Sequence, residues 1–220
     1  MAYYMIHGCL NRKEYMDKYL IPSLVEQGIS KNHIIRILDV NREGCLAMYK
    51  KAYSILRDMF DTDAGVWHIQ DDVIISRTFK EMTESHDEGV VCGFCSGWFY
   101  DKTPGGVCTP KDMWYSSPCI RIPVGLSTQF IEWLDKCTDK NVLDHIEQNK
   151  GEDYLFKLFL KQVYPDMPVL NLVPNLVDHV DYLLGWSVVN RQRGQKIVRS
   201  SYWEEHYRTE ALKMRLGITT

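Results

Sequence analysis

Two adjacent carboxylates, Asp71 and Asp72, directly follow the apolar segment Gly65–Gln70. Neighbouring carboxylates repel each other, so the pair is costly unless the two share a cation or water solvates both. An acidic pair at a strand end provides oxygen ligands for Mg²⁺ or Mn²⁺, which keep open positions for phosphate oxygens. The alternative is a solvated turn between a strand and a helix. The pattern alone leaves both interpretations open.

Two further groups could complete such a site. His179 ends the segment 174–179, which follows an apolar run and is placed to return toward the predicted sheet. Imidazole combined with carboxylates suits Mn²⁺, which accepts mixed nitrogen and oxygen ligands. Glu152 and Asp153 begin a predicted helix, where a carboxylate can act as general base toward a hydroxyl acceptor. A hydrogen-bonded loop histidine and acids that favour the helix dipole are the alternatives.

The elements that must position these groups alternate along the first 95 residues. Apolar runs predict strands, and periodic apolar residues predict helices between them. The predicted strands are 3–7, 34–38, 65–70 and 89–95, and the predicted helices are 14–27, 44–60 and 76–83. This alternation predicts an α/β fold with a mostly parallel central sheet and helices on both faces. Such sheets bind ligands outside the carboxyl ends of their strands, where Asp39, Asp71 and Asp72 would lie.

The second half of the chain is less regular. Strands are predicted over 118–123 and 168–173, and helices over 126–136 and 152–163. Residues 97–118 contain three Gly, three Pro and five aromatic residues, among them Trp98 and Trp114. Long loops of this composition are usually functional. No internal repeat is visible, so we expect one domain over residues 1–220.

Composition excludes several classes of protein. The 220 residues carry a net charge of −3, with 45% hydrophobic and 25% charged residues, which excludes a disordered chain and a uniformly basic nucleic-acid coat protein. No run approaches the roughly 20 apolar residues of a membrane span, and the start lacks the features of a signal peptide. The seven cysteines have no regular spacing, which favours a reducing compartment. We therefore expect a cytoplasmic protein without a membrane partner.

Two other motifs have alternative explanations. Cys92 and Cys95 have the spacing of a redox or zinc motif, but residues three apart in a strand face opposite sides, which favours buried strand cysteines. Residues 191–199 contain four cations, including Arg191 and Arg193, and no acid. Such a segment could bind phosphates or a nucleic-acid backbone. A solvated C-terminal face is equally compatible with it.

Together these features resemble the GT-A nucleotide-sugar glycosyltransferases. The resemblance lies in the first strand and helix, the Gly44-headed helix, the strand ending in 67–73 (WHIQDDV), and the later helix at 151–153 (GED). It covers roughly residues 3–190, and the short chain is similar to bacteriophage members, some of which glycosylate modified DNA bases. It implies a divalent metal that holds the donor diphosphate, a further histidine ligand, and a carboxylate base.

The resemblance assigns roles residue by residue. Asp72 would be the main metal ligand, Asp71 would contact the metal or a ribose, and His179 would close the site. Asp153, or failing it Glu152, would be the catalytic base. The residues expected along the nucleotide or its diphosphate are His7, Gly8, Cys9, Arg12, Asn41, Gly44, Asp71, Arg191 and Arg193. The chain has Gln-Asp-Asp in place of a spaced Asp-X-Asp, which leaves open which acid holds the metal.

The implied function is metal-dependent transfer of a sugar from a nucleotide-diphosphate sugar, with a UDP-sugar as the expected donor and Mn²⁺ or Mg²⁺ as cofactor. The acceptor would be a hydroxyl, and a hydroxylated base in phage DNA is one candidate. Residues 1–95 would bind the donor, 96–190 would bind the acceptor and close the metal site, and 191–220 would form a basic tail. Two alternatives use the same acids: a metal-dependent phosphohydrolase or nuclease, and a non-catalytic nucleotide-binding module.

Overall fold

The computed structural model describes residues 2–94, 106–111, 118–148, 152–172 and 175–179. Three predictions therefore lie outside the described residues: the strand position of Cys95, most of the aromatic loop with Trp98 and Trp114, and the basic tail with Arg191 and Arg193. Within the described ranges, every helix is too short or too polar to cross a membrane.

A seven-stranded sheet forms the centre of the fold. Its strands, in spatial order, are β2 (Ile34–Asp39), β1 (Tyr3–Cys9), β3 (Gly65–Gln70), β7 (Cys119–Pro123), β5 (Val90–Cys92), β8 (Val169–Asn171) and β6 (Gly106–Cys108). The ladders β1–β2, β1–β3 and β5–β8 are parallel, whereas β3–β7, β5–β7 and β6–β8 are antiparallel. The α/β class is confirmed, but the sheet is mixed and not mostly parallel.

Strand β7 accounts for the main topological difference. Simple alternation predicts β5 beside β3, yet β7 lies between them and runs antiparallel to both. Ile120 pairs with His68 on one side and with Cys92 on the other. β7 comes after a long connection, so its place in the sheet depends on contacts distant in sequence, which local periodicity does not encode.

The helices lie in chain order between the strands. They are α1 (Lys13–Tyr15), α2 (Ile21–Glu26), α3 (Cys45–Met59), α4 (Phe79–Ser85), α5 (Val124–Lys136), α6 (Lys140–Glu147) and α7 (Glu152–Val163). A π-helical segment, Met16–Leu20, joins α1 to α2, so Pro22 falls in the first turn of α2, where its missing N–H is not needed. Helix α6 was not predicted.

Two apolar cores confirm the prediction of helices on both faces. On one face, Met5, Val66 and Ile120 belong to a buried cluster that includes residues of α3, α5 and α7. On the other face, Ile6 and Trp67 belong to a cluster with residues of α1, α2 and α4. Alternate residues of β1 and β3 thus point into opposite cores, as strand geometry requires. Cys92 is buried in β5, as expected for a strand cysteine.

A second, two-stranded sheet positions the candidate site. Strands β4 (Val73–Ile75) and β9 (Val177–His179) are antiparallel, with Val73 opposite His179. The predicted helix over 76–83 is shifted, because β4 comes first and α4 begins only at Phe79. Since β4 begins immediately after Asp72, this ladder places His179 beside the acidic pair.

Candidate functional site

The acidic pair shares a cation, and that cation is Arg12. One guanidinium nitrogen, Nη1, lies 2.8 Å from Asp71 Oδ1, and Nη2 lies 3.2 Å from Asp72 Oδ2. All three side chains are at most 9% exposed. A buried pair of carboxylates needs such a partner, because removing two like charges from water without compensation costs several kcal/mol. Arg12 therefore provides a cation that the two adjacent carboxylates share.

The end of β1 is fastened to the acidic pair through its backbone. The amide N–H of Cys9 donates to Asp71 Oδ2 at 2.8 Å, and the Leu10–Arg12 turn follows immediately. Gly8 lies against the same carboxylate: a Cβ at this position would be 3.0 Å from Asp71 Oδ2 and 3.2 Å from Met16 Cε. The described residues thus give Gly8 a packing role beside Asp71, and its contact with a nucleotide stays a prediction.

Gly8→Ala should destabilise the protein, because the added methyl group meets Asp71 closer than ordinary van der Waals contact. We expect a loss of about 1–3 kcal/mol in the free energy of unfolding, the usual cost of overpacking. Denaturant unfolding measures it. In an Asp71→Ala background the same substitution should cost less, and an equal cost in both backgrounds would show that the crowding lies elsewhere.

His179 faces Asp72 from the second sheet. Its Nδ1 lies 3.5 Å from Asp72 Oδ2, which is longer than the roughly 2.7–2.9 Å of a strong charge-assisted hydrogen bond. The ring of His179 also contacts Phe94 edge-on, with centroids 5.3 Å apart. The structure therefore brings His179 to the acidic pair, as predicted, and adds Arg12, which the resemblance had assigned to the nucleotide.

The two carboxyl groups differ in their electrostatics. Burial raises the pKa of Asp71, and the neighbouring Asp72 charge adds to this rise, although Arg12 and the Cys9 amide oppose it. Burial also opposes ionisation of Asp72, but hydrogen bonding and charge from His179, together with Arg12, hold the pKa of Asp72 below its ordinary value. Asp72 is thus the carboxylate that stays ionised most readily.

One oxygen of the acidic pair is left for a cation or a water molecule. Asp72 Oδ1 is buried and accepts no hydrogen bond within the described ranges, and a buried carboxylate oxygen in that state calls for a cation or water. Both oxygens of Asp71 are engaged, by Arg12 and by the Cys9 amide. No group of three His, Cys, Asp or Glu among the described residues has a metal-binding arrangement. Asp72 and His179 would hold the ion, and ligand oxygens would complete its coordination.

Asp39 caps two backbone amides just before the start of α3. Asp39, at the end of β2, accepts hydrogen bonds from the backbone N–H of Glu43 at 2.8 Å and Gly44 at 3.0 Å. Gly44 has φ +91°, which favours glycine. Asn41 is exposed and donates to Glu43. Asp39 thus occupies two backbone N–H groups just before α3, and the contact of Asn41 and Gly44 with a nucleotide stays a prediction.

A cluster of histidines and tyrosines, buried except for the half-buried His7, was not predicted from the sequence. His7 Nε2 lies 3.2 Å from His68 Nδ1, and Tyr49 stacks on His7 with centroids 4.8 Å apart. Tyr53 packs against both Tyr49 and His68. The signal was available, because His7 and His68 share a face on adjacent strands and the tyrosines are four apart on α3. The spacing of the tyrosines was interpreted only as an apolar helix face.

The two histidines make stability depend on pH. Burial lowers the pKa of His7 to about 4. Burial and the adjacent His7 hold the pKa of His68 well below its ordinary value of 6.5. Between these values the unfolded chain binds more protons than the folded one, so stability falls as pH drops from 7 toward 4. His68→Gln should reduce this fall, as measured by denaturant unfolding at pH 5 and pH 7.5.

The matched control for that experiment is His33→Gln, because His33 lies outside the cluster in a 3₁₀ turn. Burial raises the pKa of Asp71 and Glu152, which gives a pH dependence of opposite sign. Comparing each variant with the wild type at both pH values cancels these carboxyl contributions. An unchanged pH dependence in His68→Gln would contradict the assignment.

The two candidate bases have different surroundings at the start of α7. Glu152 is buried, and burial raises its pKa. Asp153 is partly exposed, and its Oδ1 accepts from the Tyr154 amide at 2.8 Å. Burial is the largest cause that raises the pKa of Tyr49. The neighbouring Tyr53 and the charges of Glu152 and Asp153 raise this pKa further. Because Tyr49 stacks on His7, the start of α7 lies on the same side of the sheet as the end of β1.

Comparisons with known proteins assign no family. No protein-family model matches the chain, and no curated protein matches it in sequence. The arrangement of Arg12, Asp71, Asp72 and His179 at the sheet edge is therefore the basis for a functional hypothesis.

Proposed function

We propose that the protein is a metal-dependent glycosyltransferase that moves a sugar from a nucleotide-diphosphate sugar, with UDP as the expected nucleotide, to a hydroxyl acceptor. One observation carries the proposal. Asp72, a carboxylate with a buried oxygen that lacks a hydrogen-bond partner among the described residues, faces His179 where β1 and β3 end. Open α/β sheets bind ligands at this edge, and the resemblance to GT-A enzymes supports the same interpretation.

Each side chain of the site would have a separate role in sugar transfer. A divalent ion, when bound by Asp72 and His179, would supply positive charge to the leaving diphosphate. Arg12 and the Cys9 amide hold Asp71 in place, so the end of β1 stays fixed beside the acids. Asp153 would accept the proton of the acceptor hydroxyl, since it is the more accessible of the two acids at the start of α7.

A donor screen tests the proposal. The protein is incubated with Mn²⁺ and each of a panel of nucleotide sugars, and release of nucleoside diphosphate is measured with and without acceptors. The acceptors include DNA that carries hydroxylated bases, free sugars and protein. Acceptor-stimulated release from one donor would support glycosyltransfer and identify the acceptor class.

The same screen distinguishes the alternative functions. Cleavage of phosphodiesters or nucleotides without any sugar donor would favour a phosphohydrolase or nuclease. Saturable nucleotide binding with no turnover under any condition would favour a binding module. Either result would contradict the proposed transfer.

A further inference from the structure

Arg12 and the Cys9 amide together take up three of the four oxygens of the acidic pair. Asp71 Oδ1 accepts from Arg12, and Asp71 Oδ2 accepts from the Cys9 amide. Asp72 Oδ2 lies within 3.2 Å of Arg12 and 3.5 Å of His179. Of the four carboxylate oxygens, Asp72 Oδ1 alone accepts no hydrogen bond within the described residues. In the sequence the pair resembles two metal ligands, but in the structure it leaves one carboxylate oxygen for a cation.

The charges lead to the same conclusion. With His179 neutral, as a metal ligand must be, the two carboxylates and one guanidinium sum to −1, and an arginine side chain stays protonated in proteins. The guanidinium is 7% exposed, so water screens its charge little. A divalent ion near Asp72 therefore meets the field of one net negative charge and not two.

We propose that Arg12 is a built-in counter-cation that keeps Asp71 away from the divalent ion, so that the chain binds this ion through Asp72 and His179 and a diphosphate must supply most of the remaining ligands. The inference rests on the metal site of the proposed function and concerns how that site is loaded. Arg12 acts through the two acids, so it is a positioning residue. It would make the site weak for the free ion.

The test is a titration of free Mn²⁺, followed by its electron paramagnetic resonance signal, with the full chain and no nucleotide present. Arg12→Met removes the charge and frees Asp71, so Mn²⁺ should bind about tenfold tighter or more, because added carboxylate charge raises cation affinity. Arg12→Lys retains the charge and should stay near the wild-type affinity. An unchanged or weakened affinity in Arg12→Met, or an equal gain in Arg12→Lys, would overturn the proposal.

Asp71→Asn gives an independent measurement. If Arg12 withholds Asp71 from the ion, this variant should lose Mn²⁺ affinity only through the charge it removes, and therefore less than Asp72→Asn, which also removes the ligand itself. Combined with Arg12→Met, it should cancel the gain. A loss in Asp71→Asn as large as that in Asp72→Asn would show that Asp71 is a ligand and would overturn the proposal. This arm decides the matter even if Arg12→Met fails to fold, which near-ultraviolet circular dichroism would reveal.

The outcome is separable from that of the proposed function, because no sugar donor is present in the titration. A protein that shows this affinity pattern but releases nucleoside diphosphate from no donor would refute glycosyltransfer and leave the role of Arg12 standing. A wild-type chain that binds no Mn²⁺ even at millimolar concentration, while Arg12→Met also binds none, would overturn the counter-cation role.

Discussion

Asp72→Asn should lower kcat/KM for sugar transfer by about a thousandfold or more, equivalent to several kcal/mol of transition-state stabilisation. Asp72 provides the buried oxygen that lacks a hydrogen-bond partner among the described residues, and His179 and Arg12 keep its pKa low. Asparagine preserves the shape and one acceptor oxygen but loses the charge that attracts a divalent ion. The same variant should therefore also lose Mn²⁺ binding in the nucleotide-free titration.

The control for this substitution is Asp61→Asn, an exposed acid in the loop that precedes β3. It removes the same charge from the same region of sequence and should leave both kcat/KM and Mn²⁺ affinity unchanged. Circular dichroism and the unfolding midpoint establish that Asp72→Asn is folded. Full transfer by a folded Asp72→Asn protein, or by the wild type in excess chelator, would exclude metal dependence through this residue.

The layering of the fold could be predicted because its signals are local. Tyr4 and Ile6 alternate with Met5 along β1, and these positions point into two different cores. The periodic apolar residues of α3 fix a helix on one face. Such patterns depend only on near neighbours in sequence, so they survive in any α/β arrangement of the chain.

The mixed sheet and the second sheet could not be predicted in the same way. The place of β7 between β3 and β5 and the pairing of β4 with β9 join residues far apart in the chain. Val73–Ile75 is too short to show an alternating pattern, so the sequence did not reveal the strand that brings His179 to Asp72. The prediction that His179 lies near the acidic pair was nevertheless confirmed.

The partners of the acidic pair could be predicted only in part from the charges in the sequence. Repulsion between Asp71 and Asp72 predicts a shared cation but not its identity. Arg12 was predicted to lie along the nucleotide, and the structure places it between the two acids, 59 and 60 residues earlier in the chain. Only the parallel pairing of β1 with β3 makes that contact possible.

Asp153→Asn should abolish sugar transfer and leave donor affinity nearly unchanged. The asparagine can keep the hydrogen bond that Asp153 Oδ1 accepts from the Tyr154 amide, but it cannot take a proton from an acceptor hydroxyl. We expect transfer to fall by about a hundredfold to ten-thousandfold, the usual contribution of a general base. The measurements are single-turnover transfer and donor binding by calorimetry, both with Mn²⁺ present.

The neighbouring acid gives a matched comparison on the same helix turn. Glu152 is buried and therefore less accessible to an acceptor hydroxyl than Asp153, so Glu152→Gln should transfer sugar at close to the wild-type rate. The reverse pattern, with loss in Glu152→Gln and normal transfer in Asp153→Asn, would make Glu152 the base. Equal loss of donor binding and transfer in Asp153→Asn would instead assign Asp153 to donor or metal binding, because a base for the acceptor has no part in holding the donor.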